Sequence, residues 1–294
     1  RFGGRGVWQG FLLAILTGFT WTAIGVVLSR CAKKSFDVVA YSLAQTFFGI
    51  LFTALCYIRF GEIVWRELLI LLVLVGTGGV INSIAQMVVR QAMSRGNHGP
   101  VWAISQAALV IPFLAGVVLW GNTGSVGQWL GTGLIAGGIL IPVAEQFRSQ
   151  RNVLLPTLVA FLLFGLVQTL YAAPSQIPDF HDSAGLRPTL VSLGGFAGWC
   201  LVMSSRRERP AWNRPTLGLA LFMALLSLVS LKIFFLGLDQ LSRAGLGNVG
   251  IPLIVGANIL GFAFYSRVVL RERPSKPETA GSAMVLAGII ATAF

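Results

Sequence analysis

Nine side chains stand inside long apolar runs where hydrocarbon alone would not place them: Trp21, Asn82, Gln86, Trp102, Gln106, Gln168, Tyr171, Lys232 and Asn258. Amides and hydroxyls donate and accept hydrogen bonds, and flat rings cover C–H faces. The set therefore suits the binding of a neutral polar solute such as a sugar. Polar groups in membrane spans are costly and tend to mark function. Each amide also has a plainer reading, a hydrogen bond between helices. Each Trp has one as an interface anchor, which fits Trp8, Trp65 and Trp120 near run ends better than Trp21 and Trp102. Lys232 has three readings. It snorkels to the headgroups, or it points inward to bind an anion or pair with Asp239, or it couples solute movement to protons.

Bond-breaking chemistry finds no support. Two His leave no room for a His-based metal site, and neither a Gly-x-Ser-x-Gly elbow nor a phosphate loop occurs. No cofactor is implied. Cys31, Cys56 and Cys200 are scattered and read as small apolar residues. Asp37, His98, His181, Asp182 and Asp239 read as solvated residues at run ends or in loops. No carboxylate is placed deep in a run, which argues against a proton relay of the buried-acid kind.

These residues must be positioned by helices in lipid. Of 294 residues, 55% are hydrophobic and 11% charged, against about 25% charged in soluble domains. Too few polar residues exist to make a water-facing skin. Runs of about 20 apolar residues cross the hydrocarbon, and ten are read: 7–29, 36–58, 67–89, 99–120, 126–146, 153–174, 186–204, 216–238, 245–267 and 277–294. They are too long and uniform for barrel strands. The fold class is all-α integral membrane. The stretch 175–188 reads as an external loop.

The net charge of +12 reads as basic residues gathered on one membrane face, not as a nucleic-acid site. Connectors after odd-numbered runs hold fifteen Lys or Arg, the other side six including Arg187, and Lys232 lies within a run. The basic side is cytoplasmic by the positive-inside rule, which puts both termini outside and the chain in the cytoplasmic membrane. The sequence begins without Met, and its natural N-terminus is expected upstream. The expected partners are the bilayer and a small solute, in a monomer or homodimer.

The chain repeats itself. Setting Asn122 over Glu272 aligns Gly131 with Gly281, Thr132 with Ser282 and Gly138 with Gly288. Further echoes align Ser94-Arg95 with Ser242-Arg243, and Gly18 and Thr22 with Gly165 and Thr169. The units are residues 1–150 and 151–294, five runs each. Five is odd, so the second unit enters the membrane from the opposite side. Such a 5+5 inverted repeat is a construction of secondary transporters, with the solute site near the midplane. Small residues at Gly127, Gly131, Gly133 and Gly137, and at Ala283 and Ala287, read as a helix-packing face.

The segments 120–131, WGNTGSVGQWLG, and 270–281, LRERPSKPETAG, resemble the end of each half in the drug/metabolite transporter (EamA-like) superfamily. The outside termini and basic odd connectors are nearest in character to its rhamnose–proton symporter and sugar-porter branch. The resemblance implies a secondary transporter of a small polar solute working by alternating access, with runs 5 and 10 behind the solute path. Asn122 departs from the family's acid, which Glu272 keeps. That departure favours an alternative: a transporter-like subunit without transport, serving as scaffold or receptor. The cost of unpaired carboxamides in lipid places the nine polar residues around a mid-membrane cavity bounded by runs 1, 3, 4, 6, 8 and 9.

Orientation is testable by labelling. In a background without native Cys, a Cys at position 210 should resist an impermeant thiol reagent in intact cells, and one at position 180 should react. The reverse pattern would overturn the assignment.

Overall fold

The computed structural model describes residues 5–32, 36–58, 65–95, 98–147, 151–205, 210–269 and 276–292. They form helix throughout, with no strand among them. Helices α1 (Arg5–Ala32), α2 (Val38–Tyr57), α3 (Trp65–Met93), α4 (98–120) and α5 (Val126–Phe147) come first. Helices α6 (Arg151–Ala172), α7 (Arg187–Ser204), α8 (Arg214–Arg243), α9 (Gly250–Val268) and α10 (Lys276–Thr292) follow. Eight are long and apolar enough to cross a membrane, and α5 and α10 carry shorter apolar stretches, Val126–Ile141 and Thr279–Thr292. Large apolar side chains are turned outward, as with Leu55 at 74%, Val118 at 76% and Leu155 at 72% exposure. Water would reject such a surface, and lipid accepts it. The chain is a multi-pass helical membrane protein.

Local chemistry sets the helix ends. Asp37 caps α2, its Oδ1 accepting from the Val39 and Ala40 amides at 2.8 and 3.4 Å, while Oδ2 accepts from Ala211 N at 3.2 Å. That residue is a structural cap tying α2 to the α7–α8 connector, rather than merely a solvated loop residue. Asn213 caps α8 through Thr216 N at 2.8 Å. Gly121 (φ 65°) ends α4 and Gly245 (φ 74°) follows α8, a left-handed conformation that costs glycine nothing. Two irregular turns interrupt long helices. Leu72–Gly76 of α3 is a π turn and Ala107–Leu109 of α4 a 3₁₀ turn. Pro112 lacks the N–H that would bond to Ala108 O, so the α ladder is broken there.

Helix α1 packs on α8 and α9, and α6 packs on α3 and α4. Helix α2 packs on α8, α7 packs on α3, and α2 and α7 meet each other. Helices α5 and α10 form an antiparallel pair of their own. A Cβ on Gly131 would stand 2.7 Å from Gly288 O, and one on Gly138 would stand 2.5 Å from Gly281 O. The contacts are reciprocal: Gly131 is aligned with Gly281 and Gly138 with Gly288, so exchanging the two helices maps one contact onto the other. The face differs from the sequence expectation. Gly133 meets nothing within 4 Å, and Ala283 and Ala287 are exposed. Seven-residue spacing, not four, brings Gly131 and Gly138 onto the seam.

One end of the bundle carries the connectors after α2, α4, α6 and α8 and is called here the capped end. The other is the basic end. Residues 173–185 are not an open loop. They fold as two 3₁₀ turns, Ala173–Gln176 and Pro178–Gly185, with Ser175, Phe180 and Ala184 buried. Position 180 is thus shielded, and exposed Asp179 is the better labelling site.

Arg187 pins this cap. Expected among charges on the outer face, it is wholly buried and forms an ion pair with Asp239 Oδ1 at 2.8 Å, their side chains 0% and 4% exposed. Its Nε donates to Ser183 Oγ at 2.9 Å and its NH1 to Ser175 Oγ at 2.8 Å. Its NH2 donates to Phe180 O, and its guanidinium lies 5.4 Å from the Phe235 ring centre. Asp239 is therefore a buried carboxylate, not a solvated one, and its partner is Arg187 rather than Lys232. Helix α8 runs to Arg243, which carries Asp239 above the expected end of the span and under the cap.

Two stability outcomes follow. Asp239→Asn should lower stability by about 3–5 kcal/mol by leaving the Arg187 charge uncompensated, whereas Arg187→Met with Asp239→Leu should recover most of the loss. Gly138→Ala should cost about 1–3 kcal/mol by overpacking, and Gly133→Ala should cost nothing. Thermal unfolding in mild detergent measures both pairs.

Candidate functional site

Six helices meet around the polar residues of the bundle interior. Trp21 of α1 lies against Phe234 of α8, ring centres 5.2 Å apart. Tyr171 of α6 meets Phe234 and Phe235 at 6.3 and 6.4 Å. Gly78 of α3 makes room for that tyrosine, since a Cβ there would lie 2.7 Å from its ring. Thr22 of α1 donates to Asn258 O of α9 at 3.2 Å. A Cβ at Gly25 of α1 would stand 2.9 Å from the indole of Trp102 in α4, and that indole meets Phe164 of α6 at 6.5 Å. So α1, α3, α4, α6, α8 and α9 are linked by direct contacts.

Five of the nine residues share a property. Trp102 Nε1, Gln106 Oε1, Gln168 Oε1, Tyr171 OH and both amide atoms of Asn258 are buried with no hydrogen-bond partner among the described residues. An unpaired buried polar group costs about 1–3 kcal/mol, so five in one helix ring are not explained by packing. Outside the ring some polar groups, among them Ser42 Oγ, Thr132 Oγ1 and Thr216 Oγ1, are also buried without a partner among the described residues, while others between helices are satisfied. Gln45 Nε2 donates to Ser227 Oγ at 3.3 Å, Thr20 and Ser230 hydroxyls pair at 2.6 Å, and Ser83 Oγ donates to Gly195 O at 3.0 Å. The bridging reading holds for those three.

The ring has depth. Phe164 to Tyr171 is seven residues of α6, about 10 Å at 1.5 Å per residue. Trp102 lies toward the basic end, Tyr171 and Trp21 toward the capped end. Asn82 and Gln86 are half-buried on α3. They continue, at four-residue steps, the face on which Gly78 meets Tyr171. The unpaired groups supply donors at Trp102 Nε1 and Asn258 Nδ2, acceptors at the amide oxygens of Gln106, Gln168 and Asn258, and the Tyr171 hydroxyl, which can do either. None carries a charge at neutral pH, so the ring can match a neutral solute through hydrogen bonds.

Lys232 is not in this ring. Its Nζ sits 5.2 Å from the ring centre of Tyr57, at the last residue of α2, and beside Gly185 of the cap. Helix α8 extends five residues past the end read for its run. Eighteen residues separate Arg214 from Lys232, about 27 Å of helix, which is nearly the whole hydrocarbon thickness of about 30 Å.

A second polar cluster lies at the capped end. Asn122, which stands where the second unit has Glu272, donates through Nδ2 to Gln176 Oε1 at 3.0 Å. Gln176 lies against Gly247, and Asn248 lies against Gly116 and Gly124. Both side-chain polar atoms of Asn248 are buried without a partner among the described residues. Glu272 itself lies outside the described residues, as does the side chain of His98. His181 packs into the cap, with Nε2 2.8 Å from Ser175 O. The sequence held one signal for Arg187 and Asp239: opposite charges at the same-side ends of two consecutive runs. No group of three or more His, Cys, Asp or Glu is placed to hold a metal among the described residues.

No protein-family model matches the chain, and no curated protein matches it. Among solved structures, one titled only as the crystal structure of a protein is similar over 97% of this chain and 95% of its own, with a TM-score of 0.67 and 14% identity. At that identity the likeness is one of fold alone.

Proposed function

We propose that the chain is a secondary transporter of a small, neutral, polar organic solute, working by alternating access. One observation carries the proposal: the uncharged polar atoms of Trp102, Gln106, Gln168, Tyr171 and Asn258, buried and unpaired within one ring of helices. A solute that brings its own donors and acceptors supplies the missing bonds. Asn82, Gln86 and Trp21 extend the same path, and Lys232 leaves it.

The proposed architecture is ten spans in two inverted units, 1–150 and 151–294. Its support is the packing pattern. Exchanging the first five helices with the last five turns α1–α8 into α6–α3, α1–α9 into α6–α4, and α2–α8 into α7–α3, and all these pairs are in contact. The self-paired contacts, α2–α7 and α5–α10, also occur. The antiparallel, reciprocal Gly131–Gly288 and Gly138–Gly281 contacts fit a two-fold axis perpendicular to those helices. This axis lies in the membrane plane when the helices span it, as alternating access by inverted repeats needs. In this reading the chain belongs with the drug/metabolite transporter superfamily, near its sugar-porter branch, in the cytoplasmic membrane with the basic end inside.

A thermal-shift screen tests the proposal. Sugars, nucleosides, amino acids and organic acids are added to the purified protein, and a neutral solute at about a hundred times its Kd should stabilise by about 2.7 kcal/mol. Gln168→Leu and Asn258→Leu should abolish that shift while leaving the free protein as stable or more so, because each removes an unpaired buried group. No shift with any neutral solute, together with no uptake into proteoliposomes, would leave the scaffold reading in its place.

A further inference from the structure

We propose that the notch between Tyr57 and Lys232, at the capped ends of α2 and α8, binds the phosphate of an anionic phospholipid of the phosphatidylglycerol type. The inference rests on the chain's spanning a bilayer and is independent of transport.

Depth comes first. Helix α2 has 20 residues between its Asp37 cap and Tyr57, about 30 Å, which matches the hydrocarbon core. Tyr57 is therefore at the headgroup boundary, where tyrosines gather. Its hydroxyl donates to Leu228 O of α8 at 2.9 Å, fixing the ring. Lys232 Nζ lies over that ring at 5.2 Å, so the ammonium is held at phosphate level, not left to roam.

Direction comes second. Leu221, Leu225 and Val229 form an outward stripe on α8, 39%, 47% and 54% exposed. Lys232 is the next step along that face, at three residues from Val229. Acyl chains lying along the stripe would bring a headgroup to Nζ. Gly185 lies beside the ammonium, and a Cβ there would already be at 3.4 Å. The cap thus closes the notch from above without a side chain in it.

Charge comes third. Asp239 Oδ1 is taken by Arg187 at 2.8 Å, so that pair is locally neutral. Lys232 has no carboxylate or carbonyl within bonding distance among the described residues; its one contact of note is the Tyr57 ring. Among the described residues Lys232 is a cation without a bonded carboxylate beside a neutral pair, and such a cation selects an anion. A zwitterionic headgroup would bring its own cation against Lys232, whereas a phosphatidylglycerol headgroup brings none. The charge-assisted bond to a phosphate oxygen is the strong kind.

The test uses the full chain in nanodiscs of phosphatidylglycerol and phosphatidylcholine in equal parts, released and weighed by native mass spectrometry. The wild type should keep one phosphatidylglycerol in preference to phosphatidylcholine. Lys232→Gln should cut that retention about tenfold, the effect of losing one charged contact, and Lys232→Arg should restore it. Equal retention of the two lipids by the wild type, a measurement that needs no variant, would overturn the proposal. So would undiminished phosphatidylglycerol on Lys232→Gln. Displacement of the lipid by an equal concentration of soluble glycerol phosphate would replace it with a site for a water-borne phosphate.

Discussion

Lipid gives helices no hydrophobic reason to associate, so this fold depends on how closely its backbones can approach. The approach is set by small residues. A Cβ on Gly131 or Gly138 would run into the backbone of α10, and one on Gly79 would stand 2.6 Å from Val191 O of α7. Gly194 of α7 in turn lies against Gly76 O, at the π turn of α3. At these distances dispersion contacts are many and each is small. Helices α1 and α9 meet the same way, since a Cβ on Gly18 would collide with Ile254 O.

Polar groups within these helices divide by whether their own backbone satisfies them. Several serines and threonines bond to the carbonyl one turn back, as Thr53 does to Gly49 O at 2.6 Å and Thr157 to Val153 O at 2.7 Å. They satisfy themselves within one helix and ask nothing of a neighbour. The carboxamides of Gln106, Gln168 and Asn258 reach past their own backbone, and Oε1 of each glutamine and both polar atoms of Asn258 find no partner among the described residues. Unpaired buried groups of this kind lower stability.

The helices and their ends were legible because apolar run length is a strong signal. The read ends of α2, α4, α5 and α9 fall within a few residues of those observed. What was illegible concerned charge and register. Arg187 counts as a loop residue when runs are judged by hydropathy, because an ion pair hides its cost from any one-residue scale. Asp239 was missed for the same reason, since each residue's burial depends on the other. The packing face of α5 was misread because Gly127, Gly131, Gly133, Gly137 and Gly138 offer several spacings, and only the partner's position selects seven. The meeting of Lys232 with Tyr57 and Gly185 was illegible because only the fold of residues 173–185 brings the cap over the last turns of α8.

Those last turns join the constraints together. Helix α8 has 30 residues, about 45 Å, against a hydrocarbon core of about 30 Å. Its last turns carry Phe234, Phe235 and Leu238, all buried, and such a surface needs a cover. The cover is residues 173–185, and a short connector of polar composition has little apolar area with which to hold itself down. Arg187 supplies the hold through four groups at once: Ser175, Phe180, Ser183 and Asp239. A buried ion pair gives little net stability and much specificity of arrangement in some proteins. Here the arrangement it specifies is the closed end of the bundle, directly above the ring that holds the unpaired amides.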